Sequence, residues 1–166
     1  MLIDQKAKQA EVLLDYLLNG AKHNEMYVKD GKSMLVELIK ESGISLRNKF
    51  LFQIDMDSCS PFSGDFDVDA LRRVFDNLVS NVERYADPQY VVKVKMTTTK
   101  TDLLIEQENT KDKDESFSDG SGLGLNIIQH IVENHAGSLA VTQDSQKFKV
   151  KIILPIFTNT ANSIAD

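Results

Sequence analysis

Apolar residues recur along this chain at two spacings, helical in some stretches and every second residue in others, and the switches between them predict the elements. From Leu2 to about His23, Ile3, Ala7, Ala10, Leu14, Leu17 and Ala21 alternate spacings of four and three, a heptad seam suited to another helix. Leu13 and Leu18 widen that stripe, and an amphipathic helix lying on its own domain fits equally well. Asn24 to Gly31 reads as a connector. Lys32 to Ser42 reads as a helix closed by Gly43, with Met34, Leu35, Leu38 and Ile39 inward. Phe50, Phe52, Ile54 and Met56 then alternate with Leu51, Gln53 and Asp55 as a half-buried strand, and Asp57 to Gly64 reads as a turn-rich loop.

The most strongly patterned helix comes next. Leu71, Val74, Phe75, Leu78 and Val82 make a buried stripe, and Asp67 stands where its carboxylate caps the first turn. Tyr90 to Thr99 alternates, Lys100 to Asp102 turns, and Leu103 to Gln107 returns as a hairpin. A helix from Leu125 ends at His135-Ala136-Gly137 with Gly137 as its left-handed cap, and a hairpin of Leu139 to Thr142 with Phe148 to Leu154 follows. Pro155 stops pairing, and Thr158 to Asp166 is a polar tail. Helices on one face of a mostly antiparallel sheet give an α+β chain, a two-layer α/β sandwich.

Length and composition narrow what such a chain does. The 166 residues suit one domain with an appendage, and 42% hydrophobic residues suffice for a core. A net charge of −6 argues against nucleic acid and anionic membrane as partners, both of which need excess Lys and Arg. One cysteine, Cys59, allows no internal disulfide and fits a reducing compartment. No apolar run is long enough for a transmembrane helix, and the first residues carry no signal peptide, so a soluble, cytoplasmic chain is expected.

Two stretches carry chemistry. In Ser118-Asp119-Gly120-Ser121-Gly122-Leu123-Gly124-Leu125, three glycines at alternate positions open a helix. Backbone N–H groups can there approach a polyanion with no Cβ in the way, at the positive end of the helix dipole. On the patterned helix, Asn77, Asn81, Arg84 and Tyr85 are stacked on one flank at offsets of four, three and four. Asparagine carbonyls are neutral oxygen ligands for a hard cation already carrying phosphates, Arg84 can neutralise a phosphate, and Tyr85 offers a flat face to a base. Each stretch alone also fits an ordinary turn or a solvated helix face.

Taken together, Asn-Leu-x-x-Asn-x-x-Arg-Tyr and Gly-x-Gly-Leu-Gly-Leu resemble the ATP-binding catalytic domain of sensor histidine kinases, the Bergerat-type fold shared with gyrase, the ninety-kilodalton heat-shock chaperone and mismatch-repair ATPases. The resemblance covers roughly residues 32 to 157 and lies nearest the vancomycin-resistance-type sensor kinases. It implies ATP and Mg²⁺, with Asn81 on the metal, Asn77 supporting metal or phosphates, Arg84 on phosphate, Tyr85 bordering the base, and Gly120, Ser121, Gly122, Leu123, Gly124 and Leu125 around the phosphates. It further implies transfer of the γ-phosphoryl to a histidine on a hairpin helix and relay to an aspartate of a response regulator. Residues 1–23 would be the end of the dimerisation and phosphoacceptor hairpin and a possible homodimer contact, 24–157 the catalytic domain and 158–166 a disordered tail, within a membrane-anchored parent.

Three departures from the family pattern matter. The Asp-x-Gly-x-Gly adenine box is absent where the chain reads Glu106-Gln107-Glu108-Asn109-Thr110. Strand parity puts Asn109 with Leu103 and Ile105 on the more apolar face, and its amide offers both an acceptor and a donor to adenine, so Asn109 rather than Glu108 is the expected reader. Only ten residues separate Asn109 from Gly120, a short charged lid from which Lys111 or Lys113 could reach a phosphate. Finally, none of His23, His130 and His135 has a phosphoacceptor context, so the chain reads as a fragment lacking its own phosphorylation site. A non-catalytic nucleotide-sensing or scaffolding module of the same fold is the alternative.

Overall fold

The computed structural model describes residues 24–43, 49–112 and 123–158, together with Ala7, Ala10, Glu11 and Leu14. Those four isolated positions are helical and exposed; the rest of residues 1–23 lies outside the described residues.

A five-stranded sheet forms one layer. Its strands are β2 (Phe52–Ser58), β4 (Val92–Thr98), β5 (Asp102–Thr110), β6 (Ser138–Gln143) and β7 (Lys147–Pro155), in the order β2-β4-β5-β7-β6. Only β2 and β4 run parallel; the other pairings are antiparallel. Three helices, α1 (Gly31–Gly43), α2 (Val68–Tyr85) and α3 (Leu123–Asn134), cover one face, with α2 packing on both of the others. Leu35 and Leu38 from α1, the stripe Leu71, Val74, Phe75 and Leu78 from α2, and Ile127, Ile128, Ile131 and Val132 from α3 meet Met96, Leu103, Ile105, Ile152 and Leu154 of the sheet in one core. The expected two-layer α/β sandwich is what forms. Among the described residues no helix is long and apolar enough to cross a membrane.

The other face of the sheet is charged. Asp55, Lys95, Glu106 and Lys151 follow one another across four strands, and Lys149 reaches diagonally to Glu106 at 3.0 Å. The hydrogen bond and charge of Glu106 push the Lys149 ammonium pKa up.

Sequence pattern misses a second sheet. The connector contains β1 (Met26–Val28), the turn-rich loop contains β3 (Phe62–Phe66), and Thr158, assigned to the tail, pairs with Phe62 in β8 (Phe157–Thr158). All three are antiparallel in the order β1-β3-β8. Strands of two or three residues cannot display alternation, and Pro61 and Gly64 disguise β3 as a loop. Gly64 is there because a Cβ would stand 2.7 Å from the Phe66 ring.

The end of α3 also differs from expectation. Its left-handed residue is Ala136, with φ 61°, and not Gly137. Ala136 N donates to Glu133 O and Gly137 N to Val132 O, the paired bonds of a Schellman turn. Gly137 serves a different need: a Cβ there would lie 2.1 Å from Ile153 O, so its absence lets the chain pass against β7.

Candidate functional site

α2 starts where the sequence places it. The Asp67 carboxylate accepts from Ala70 N at 3.1 Å through one oxygen and from Asn24 N at 2.9 Å through the other. Its own N–H donates to Nε2 of the buried His135 at 3.0 Å, while His135 Nδ1 lies 2.8 Å from Ile131 O. A backbone N–H can only donate, so Nε2 is the unprotonated nitrogen and Nδ1 carries the proton. His135 therefore has a structural duty, joining the turn after α3 to the cap of α2.

With α2 so anchored, Asn77 on its polar flank approaches α3. Asn77 donates from Nδ2 to Arg73 O at 3.0 Å, one turn back. The position a Cβ would take on Gly124, in the first turn of α3, is only 3.3 Å from Asn77 Oδ1. The asparagine helix and the glycine box are thus in contact. One turn beyond Asn77, Asn81 Nδ2 is buried and has no hydrogen-bond partner among the described residues. Stranding a polar group in this way costs about 1–3 kcal/mol unless something else supplies the partner. Arg84 is exposed and Tyr85 half-buried at the end of the helix.

β5 supplies the next wall. Leu103, Ile105, Gln107 and Asn109 are buried and alternate with half-buried Leu104, Glu106 and Glu108, so the parity argument for Asn109 over Glu108 holds for placement. Asn109 is 3% exposed, and its Nδ2 donates to Thr110 O at 3.2 Å. Backbone bonds stitch this strand end to the end of α2: Asp87 N to Thr110 O, and Asp112 N to Tyr85 O, each 2.8 Å. Ala86 and Lys111 form a bridge between them. Tyr85 and Asn109 are brought to one end of the molecule by these bonds.

Other expectations fare differently. Lys111 is committed elsewhere, its Nζ donating to Asp144 O at 2.7 Å. Leu125 is half-buried against the core, and α3 begins at Leu123, two residues earlier than expected. Gly120, Ser121 and Gly122, the Leu123 side chain and the lid from residue 113 onward lie outside the described residues. Gln107 has a place that pattern reading left unassigned: its Nε2 donates to Leu78 O at 3.1 Å, tying β5 to the middle of α2. The available signal was an amide directly following Leu103 and Ile105 in the buried parity set. Among the described residues no cluster of His, Cys, Asp and Glu could hold a metal.

Residues 66–158, more than half of the chain, match the family of histidine kinase-, DNA gyrase B- and HSP90-like ATPases. The chain belongs to this family. Sensor histidine kinase CusS of Escherichia coli O157:H7 is 30% identical over a match covering 51% of this chain and 22% of CusS. Sensor histidine kinase YrkQ of Bacillus subtilis is 24% identical over 87% of this chain and 35% of YrkQ. The chain thus spans between about a fifth and a third of these relatives. Among solved structures, the Acinetobacter baumannii histidine kinase AdeS superposes with a TM-score of 0.67 at 15% identity, covering 96% of this chain and 80% of that one, a likeness of fold.

Proposed function

We propose that this chain is the ATP-binding catalytic unit of a two-component sensor histidine kinase, holding ATP between α2, α3 and the inner face of β5. The observation that carries the reading is the buried, unpartnered Asn81 amide one turn from the contact between Asn77 and Gly124. Amide nitrogen and oxygen exchange places by a simple flip, so the Asn81 carbonyl can occupy the buried position and meet a hard cation. Asn81 would hold Mg²⁺ with Asn77 in support, and Mg²⁺ when bound neutralises phosphate charge. Arg84 contacts a phosphate, Tyr85 borders the base, and Asn109 reads adenine from the buried end of β5. Backbone amides of Gly120 to Gly124, with Leu125 behind them, cradle the phosphates.

In the reaction an imidazole nitrogen attacks the γ-phosphorus, the bond to the β–γ bridging oxygen breaks, and ADP leaves with that electron pair. The imidazole N–H proton passes to solvent. Such transfer asks the protein mainly for positioning and charge stabilisation. The acceptor histidine stands on a dimerisation hairpin, whose last helix residues 1–23 supply along with a homodimer contact. The phosphoryl then passes to a response-regulator aspartate on the cytoplasmic side of a membrane-anchored parent.

The deciding experiment supplies labelled ATP, Mg²⁺ and a separately made histidine-bearing hairpin of the parent, and looks for acid-labile label on the hairpin. Label that appears with this chain and vanishes with Asn81→Ala supports the kinase reading. Mg-ADP binding without any transfer would favour the nucleotide-sensing alternative, for which the departed adenine box speaks.

A further inference from the structure

α2 has a second flank. Where Asn77 approaches α3, Phe75, Leu78 and Val79 help line a cavity of about 510 Å³ between α1, β2 and α2. That volume lies within the roughly 300–1,000 Å³ typical of small-molecule sites, which are mostly apolar with a few placed polar groups. None of Asn77, Asn81, Arg84, Tyr85, Asn109 and Gly124 lines it. Its walls are apolar, Lys40 is the one charged residue among its described lining, and Leu51 and Ile54, 71% and 43% exposed, open it to solvent.

One buried polar group lines it. Gln107 is 7% exposed, its Nε2 is committed to Leu78 O, and among the described residues none donates to its Oε1. That oxygen is not among the buried unpartnered atoms, so it opens onto the cavity, where a ligand N–H or O–H can reach it in otherwise apolar surroundings. We propose that this cavity is a second ligand site, taking an uncharged, mostly apolar small molecule with one N–H or O–H donor aimed at Gln107. The near absence of charge argues against an ionic ligand, and the free acceptor distinguishes the site from a plain packing gap.

The chain contains no tryptophan, so indole added to it is seen against a dark background at its own emission. Titrating the chain with indole and with 1-methylindole, which lacks the donor, should show saturable binding with indole about fivefold tighter, the worth of one net hydrogen bond. Saturating Mg-ADP should leave indole bound, and Gln107→Leu should bring the two affinities together. Should Gln107→Leu fail to fold, the comparison of the two probes on the unmodified chain still decides. Absence of saturation, equal affinities on the unmodified chain, or competitive displacement by Mg-ADP would each overturn the proposal, the first meaning that the cavity holds only water. Because Mg-ADP binding is read separately, failure here leaves the kinase reading untouched.

Discussion

The two ends of α2 treat their buried polar groups in opposite ways. At the start, Asp67 and His135 are deeply buried and bonded to Ala70, Asn24, Ile131 and each other. Nearer the other end, Asn81 buries an amide nitrogen that has no partner among the described residues. A satisfied network stabilises and fixes geometry, whereas a stranded donor costs stability and is retained where a ligand completes it. The comparison separates residues that build the helix from those proposed to meet nucleotide, and the two sets should respond differently to substitution.

The largest effect is expected at the satisfied end. Asp67→Ala removes the cap and leaves the N–H groups of Ala70 and Asn24 without their acceptor, so urea unfolding should show a loss of about 2–3 kcal/mol. If stability hardly changes, the network is not what anchors α2. At the stranded end the pattern inverts. Asn81→Ala removes the stranded amide, so ligand-free stability should hold or rise. It should, however, abolish the gain of about 2.7 kcal/mol that Mg-ADP at a hundredfold over its dissociation constant gives the unmodified chain. A full Mg-ADP response in that variant would dissolve the contrast.

Gly124→Ala sharpens the same contrast from the facing helix. Alanine is favoured over glycine within a helix by up to about 1 kcal/mol, so thermal stability should hold or rise. Its methyl would nevertheless press on Asn77 Oδ1, tighter than nearly all real contacts, and nucleotide affinity measured by calorimetry should fall. Ala136→Gly tests the turn that presents His135 to Asp67. Relieving the left-handed alanine should add about 1 kcal/mol or less in chemical unfolding, with Mg-ADP affinity unchanged.

The smallest expected change concerns pH. Hydrogen bonds from the Ser33 backbone N–H first, and then from its hydroxyl, hold the Asp30 carboxyl below its usual range at the start of α1. A lowered folded-state pKa means that its stabilisation is present above the ordinary carboxylate range and is lost as pH falls through the lowered value. Asp30→Ala should therefore lower the urea midpoint slightly at neutral pH and converge with the unmodified chain in acid; an equal gap at both would show that charge is not involved.

Much of this was legible in the sequence because it rests on periodicity and on groups whose chemistry is local. The α2 stripe, the Asp67 cap and the parity of Asn109 all follow from spacing alone. What escaped depends on partners distant in the chain. β1 and β3 exist as strands because Met26 faces Phe66 and Val28 faces Gly64, pairs that no local pattern announces. The same holds for Gln107, whose partner Leu78 O lies 29 residues away, and for His135, whose bond to Asp67 spans 68. Gly137 looked like a cap by composition, yet a carbonyl of β7 is what excludes its side chain.

The row Asp55, Lys95, Glu106 and Lys151 on the uncovered side of the sheet has a bearing on how the molecule meets others. Laying a second sheet flat on it would strip water from four alternating charges at once, whose mutual attraction across the strands is too weak to compensate. That surface is insulated against stacking, so the protein stays solvated there and its contacts fall to the helical side and to the strand margins.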